Sequence, residues 1–105
     1  MEDITLINDD CLNAMKSIPD KSIDCIIADI PYNEVNRGSN GLRILDKSKA
    51  DVITFDLQQA VKECFRICKG SIYIFCGWHQ ISYLYTMFKS NGLSTREIIW
   101  QKNTL

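Results

Sequence analysis

Ile23-Asp24-Cys25-Ile26-Ile27-Ala28, broken off by Asp29-Ile30-Pro31-Tyr32, is the stretch whose reading decides the fold. Its first part is a near-continuous apolar run of strand length, the pattern of a central parallel strand buried on both faces. It stops at Asp29, and Pro31 cannot continue a central strand. Upstream, Ile4, Leu6 and Ile7 suggest another strand, ending in the acidic turn Asn8-Asp9-Asp10. Asp9 or Asp10 suits the N-cap of a short helix with Leu12, Met15 and Ile18 on one side. Pro19-Asp20-Lys21-Ser22 is turn chemistry.

Downstream, residues 33–52 lose all periodicity and read as a long mobile loop. Leu57, Ala60, Val61, Cys64, Phe65 and Cys68 then recur at helical spacing. Lys69-Gly70 is expected to close that helix. Ser71 to Cys76 is rich in β-branched and aromatic residues and reads as a strand. Gly77-Trp78-His79-Gln80 is a turn, and Ile81, Leu84, Tyr85 and Phe88 mark another helix ending at Asn91-Gly92. Glu97 to Lys102 reads as a last strand. The order β-α-β-loop-α-β-α-β predicts an α/β domain with mostly parallel strands and helices on both faces, a partial Rossmann-like sheet.

The whole chain, 105 residues, is expected to form a single domain. Apolar residues make up 46% and charged ones 24%, an ordinary globular balance. A net charge of −1 gives no global attraction to nucleic acid, so any phosphate contact must come from a local basic patch. The five cysteines are odd in number, form no CxxC pair and lie mostly in apolar stretches. They imply a reduced, cytoplasmic protein. Cys64 and Cys68 would share a helix face near His79, but structural zinc favours tighter ligand spacing, and no metal is expected. The acidic N-terminus carries no apolar leader, and no run approaches membrane-spanning length.

In open α/β sheets, ligands bind beyond the carboxyl ends of the strands. Asn8-Asp9-Asp10, Asp29-Ile30-Pro31-Tyr32-Asn33 and Gly77-Trp78-His79-Gln80 would all lie on that rim. Asp29 is the first polar residue after a buried strand. Ile30 precedes a proline and so avoids the helical region, which gives an extended turn. An acceptor beside an aromatic face suits a base flipped out of duplex DNA. The exocyclic amine of such a base donates two hydrogen bonds, one to the carboxylate and one to a turn carbonyl. Taken alone, the four-residue string reads equally well as an ordinary strand-terminating turn. Trp78 and His79 could line the pocket, although His79 reads more readily as a surface or cap residue. Phe75, Tyr83 and Tyr85 read as core or helix surface.

The run Leu6-Ile7-Asn8-Asp9-Asp10-Cys11-Leu12, then Ile18-Pro19-Asp20-Lys21-Ser22-Ile23-Asp24, then Ala28-Asp29-Ile30-Pro31-Tyr32-Asn33, resembles the N-terminal region of amino-group DNA methyltransferases. Their signature is Asp/Asn/Ser-Pro-Pro-Tyr/Phe/Trp after a buried strand, and Trp100-Gln101-Lys102-Asn103 resembles a later strand of the same family. The resemblance covers nearly the whole chain and fits the permuted branch, in which the catalytic motif precedes the cofactor glycine motif.

The resemblance implies methyl transfer from S-adenosylmethionine to adenine N6 or cytosine N4 in double-stranded DNA. The tyrosine form of the motif favours adenine. Asp29 and the Ile30 carbonyl would hold the amine, Pro31 would shape the turn, and Tyr32 would stack on the base. Asp10, with Cys11 beside it, would meet the adenine part of the cofactor, which Asp29 also borders. Asn33, Arg37, Arg43, Lys47 and Lys49 would approach DNA phosphates, or else serve only solubility.

The chain departs from the family at Ile30, usually proline, and at Asp9, usually glycine. The Phe-x-Gly-x-Gly cofactor loop and a target-recognition segment are absent. A fragment of a larger enzyme is therefore expected, weak in activity alone. Two other readings remain: methylation of protein glutamine or RNA bases, and a non-catalytic or split module that docks a partner or self-associates through an open sheet edge.

Overall fold

The computed structural model describes residues 3–32 and 56–103. The fold is α/β, and the two strands found among the described residues run parallel. Helix α1 (Cys11–Met15) precedes strand β1 (Ile23–Asp29). Helix α2 (Leu57–Ile67) leads directly into strand β2 (Cys68–Phe75). A 3₁₀ turn, Trp78–Gln80, then opens helix α3 (Ile81–Ser90). The loop expected over 33–52 lies outside the described residues.

Strands β1 and β2 pair in parallel, with Ile26 beside Ile72, Ile27 beside Tyr73, Ala28 beside Ile74 and Asp29 beside Phe75. Two parallel strands need a crossover, and α2 lies in that connection. Sequence reasoning ended the helix at Lys69-Gly70, but Lys69 and Gly70 belong to β2. The reason is close approach. The register shifts between Ile23 and Cys25, and a Cβ on Gly70 would collide with the Asp24 carbonyl oxygen. Gly70 is therefore the residue that lets the strands meet at the irregularity. Cys68 accordingly leaves the helix face it was expected to share with Cys64.

The core lies where α2 and α3 meet the sheet. Val61, 2% exposed, packs with Leu84 and Met87, and Ile30, Leu57, Phe65, Ile74, Cys76 and Phe88 close around them. Phe65 and Phe88 meet edge to face, centroids 4.9 Å apart. Met87 is buried in α3, and Tyr85, read as core or helix surface, lies on the helix surface. The α2 stripe follows its periodicity, with Ala60, Val61, Cys64 and Ile67 buried. Burial pushes the Cys64 thiol up to about 11. Helix α3 stops where Gly92 adopts a φ of 75° and donates to the Lys89 carbonyl, while Leu93 donates to that of Phe88.

Two expected strands are absent from the described residues. Residues 4–7 and 97–102 form no ladder, with Leu6 91% and Trp100 78% exposed. A strand exists only through its neighbour, and neither segment pairs with β1 or β2. For the same reason β1 is not covered on both faces among these residues. Ile27 is 71% exposed, beside the exposed Tyr73.

The turn between α1 and β1 is braced by long-range polar contacts. Arg66, near the end of α2, donates to the carbonyls of Met15 and Ile18, both at 2.8 Å, and pairs with Asp20 and Glu63. Lys21, at a φ of 52°, sends its Nζ to the carbonyls of Phe65 and Cys68 at the helix end. A cation there meets the negative end of the helix dipole.

Candidate active site

Asp29 is the last residue of β1 and is exposed. Its position follows from the strand: Ala28 turns toward the helices beside Ile74, so its successor points the other way. The next residue, Ile30, packs on the core cluster. The apolar side chain at the position where the family motif usually carries proline thus ties the turn to the protein interior. Pro31 follows, and Tyr32 comes back over the turn. Its hydroxyl donates to the Asp29 Oδ1 at 3.1 Å. The carboxylate and the phenol ring are therefore within one hydrogen bond of each other at the carboxyl end of a parallel strand. A carboxylate offers about four lone-pair sites on its two oxygens, so acceptor capacity remains beside the bond to Tyr32.

Gln80 was read only as part of a turn. It is a buried polar residue, 7% exposed. Its Nε2 donates to the Pro31 carbonyl at 3.0 Å, and its Oε1 accepts from the Gly77 amide at 2.9 Å. The signal available from sequence was only its place after β2. A burial this deep needs partners 49 residues away, which no local pattern encodes. Beside it, Trp78 is exposed and meets His79 edge to face, centroids 5.9 Å apart. The His79 Nε2 is buried without a hydrogen-bond partner among the described residues.

Asp10 is the N-cap of α1 and accepts from the Leu12 amide at 2.9 Å. Asp9 accepts from the Asp10 amide at 2.7 Å and also from the Asn13 side chain. The aspartate at the usual glycine position thus braces the turn. The Cys11 thiol is pushed up by partial burial and by the Asp10 charge beside it, which keeps it neutral. Acidic acceptors next to a neutral thiol fit the amine or hydroxyl donors of a nucleoside. Among the described residues, no cluster of three or more His, Cys, Asp or Glu could hold a metal ion. Asn33, Arg37, Arg43, Lys47 and Lys49 lie outside the described residues.

Polar turns at the carboxyl end of parallel strands define the ligand-binding rim of an α/β domain. No protein-family model and no solved structure matches the chain. Curated proteins do. A DNA adenine methyltransferase, YhdJ of Escherichia coli K12, is 31% identical over 98 residues, covering 91% of this chain and 32% of the relative. The type II methyltransferase M.HpaI of Haemophilus parainfluenzae is 33% identical over 91 residues, 85% of this chain and 28% of the relative. M.HinfI of Haemophilus influenzae, also a type II methyltransferase, is 32% identical, with 93% and 31% covered. The resemblance to amino-group DNA methyltransferases read from the sequence is thus supported by relatives that match over most of this chain. The chain spans about a third of the length of these relatives. No helix among the described residues is long and apolar enough to cross a membrane.

Proposed function

We propose that this chain carries the catalytic turn of an S-adenosylmethionine-dependent DNA methyltransferase acting on adenine N6. The observation that carries this reading is the exposed Asp29 at the end of β1, bonded at 3.1 Å by the Tyr32 hydroxyl. S-adenosylmethionine supplies the methyl group when bound, and Asp10, with Cys11 beside it, would hold its adenosine part. A base flipped out of the duplex stacks on Tyr32, displacing the phenol from its bond to Asp29. The exocyclic amine donates to the Asp29 carboxylate and to the Ile30 carbonyl. Positive charge develops on the amine nitrogen as it is methylated, and the carboxylate stabilises that charge. Holding the amine in one orientation supplies much of the remaining acceleration. Asn33, Arg37, Arg43, Lys47 and Lys49 would meet the phosphates on either side of the flipped base. The name of YhdJ supports adenine over cytosine as the target.

The test is transfer of a labelled methyl group to duplex DNA, followed by digestion to nucleosides. The expected product is N6-methyladenosine in its deoxy form. Asp29→Ala should reduce transfer by about 100-fold or more, the scale of losing one preorganised electrostatic partner. Its far-ultraviolet circular dichroism should match that of the unsubstituted chain, because Asp29 is exposed. Undiminished transfer by Asp29→Ala would refute the assignment.

A further inference from the structure

The turn that carries Asp29 and Tyr32 is tied to the end of the neighbouring strand by one side chain. Gln80 is buried, and both ends of its amide are used. One end holds the Gly77 amide just after β2, and the other holds the Pro31 carbonyl inside the catalytic turn. Gln80 opens α3, whose Leu84 and Met87 belong to the core cluster that also receives Ile30. The turn is thus fixed twice: by the Ile30 side chain below and by the Pro31 carbonyl from the side. Leaving either partner of a buried hydrogen bond unmet is costly, so the pair defines one position for the turn.

We propose that Gln80 is a positioning residue for base capture. By occupying the Pro31 carbonyl, it sets the orientation of the peptides on either side and leaves the Ile30 carbonyl as the one that meets the target amine. This rests on the methyltransferase reading of Asp29. It assigns a role to a residue outside the Asp29–Tyr32 motif, on the element that follows the second strand. The amide accepts at one atom and donates at the other without charge, as a place between an N–H and a carbonyl requires. An isosteric carboxylate can still accept from Gly77, but it would set a second acceptor against the Pro31 carbonyl.

Gln80→Glu and Gln80→Leu in the full chain separate the alternatives. Three quantities are measured: amide hydrogen exchange at Asp29, Ile30 and Tyr32 (the residues of 29–32 that carry an N–H), kcat for DNA methylation, and the KM for S-adenosylmethionine. In both variants exchange at residues 29–32 should rise at least about 10-fold relative to exchange in α2, since a tethered turn then opens locally. The kcat should fall about 10- to 100-fold, the consequence of a misplaced reacting group. The cofactor KM should change much less than kcat, because its adenosine part would be held at Asp10, the N-cap of α1, whereas the Gln80 side chain bonds to Gly77 and Pro31. Wild-type kcat and exchange in Gln80→Glu would overturn the proposal, because the Gly77 contact alone would then suffice. A parallel loss of cofactor affinity and of protection in α2 would also overturn it, marking a merely structural role. Should the unsubstituted chain transfer no methyl group to DNA, the function fails, while the exchange at residues 29–32 still decides whether Gln80 holds the turn.

Discussion

Two aspartates at turns in this chain are held by opposite means. Asp29 ends a strand in parallel register with β2, and the turn after it is secured by Ile30 in the core and by Gln80 from 49 residues away. Asp10 caps a five-residue helix, and among the described residues the side-chain bonds of Asp9 and Asp10 all fall within four residues of sequence. Ahead of it, Leu6 stands in the open. One turn is defined by tertiary structure, the other by local hydrogen bonding. In its proposed role of placing a reacting amine to within a fraction of an ångström, Asp29 gains from the first kind of support. For Asp10, whose proposed role is to meet part of a soluble cofactor, local support suffices.

The sharpest way to break this contrast is at Gly70. Gly70→Ala puts a methyl group against the Asp24 carbonyl oxygen, so β1 and β2 must part at their irregular register. The expected loss is about 2 to 3 kcal/mol of stability, the scale of overpacking against backbone. It should appear in urea titrations and be accompanied by faster exchange at Asp29. A neutral result would mean that the strand pairing is looser than the Asp29 side of the comparison requires.

A smaller effect is expected on the other side. Asp10→Ala removes the N-cap acceptor of α1, worth about 1 kcal/mol of helix stability. Exchange should rise over residues 11–15 and remain unchanged over residues 29–32. Spread of the disturbance to residues 29–32 would show that the two turns are one unit.

The smallest expected effect concerns the brace between the two regions. The hydrogen bond from Arg66 holds the Glu63 carboxyl below its ordinary value. A lowered folded-state value means that the contribution to stability is complete above the ordinary carboxylate range. It is lost as pH falls through the lowered value. Thermal midpoints from pH 7 down to pH 3 should therefore decline more steeply for the unsubstituted chain than for Glu63→Gln. Parallel curves would leave Arg66 stabilising the turn through Met15, Ile18 and Asp20 alone.

Much of the fold was legible from sequence because it rests on local periodicity. The apolar run from Ile23 predicted β1, the α2 stripe predicted three of its four buried positions (Ala60, Val61 and Cys64, but not Ile67), and Asn91-Gly92 predicted the end of α3. Asp9-Asp10 announced a helix cap through side-chain chemistry that acts within one turn. The motif Asp29-Ile30-Pro31-Tyr32 was visible because a proline after a buried strand has few conformations open to it.

Other features were decided only when distant segments met. Lys69-Gly70 looked like a helix stop and is strand, because β1 approaches too closely for any side chain at Gly70. Ile4–Ile7 and Glu97–Lys102 have the composition of strands but no partner among the described residues, and a strand's hydrogen bonds belong to its neighbour. Gln80 looked like one more turn residue until its amide was found between Gly77 and Pro31. The sequence by itself determined which segments could be helix or strand and that Asp29 would end the first of the paired strands, since those depend on spacing and backbone sterics. Tertiary structure alone decided which strands form among the described residues and what holds the turn after Asp29, since both depend on bonds between residues tens of positions apart.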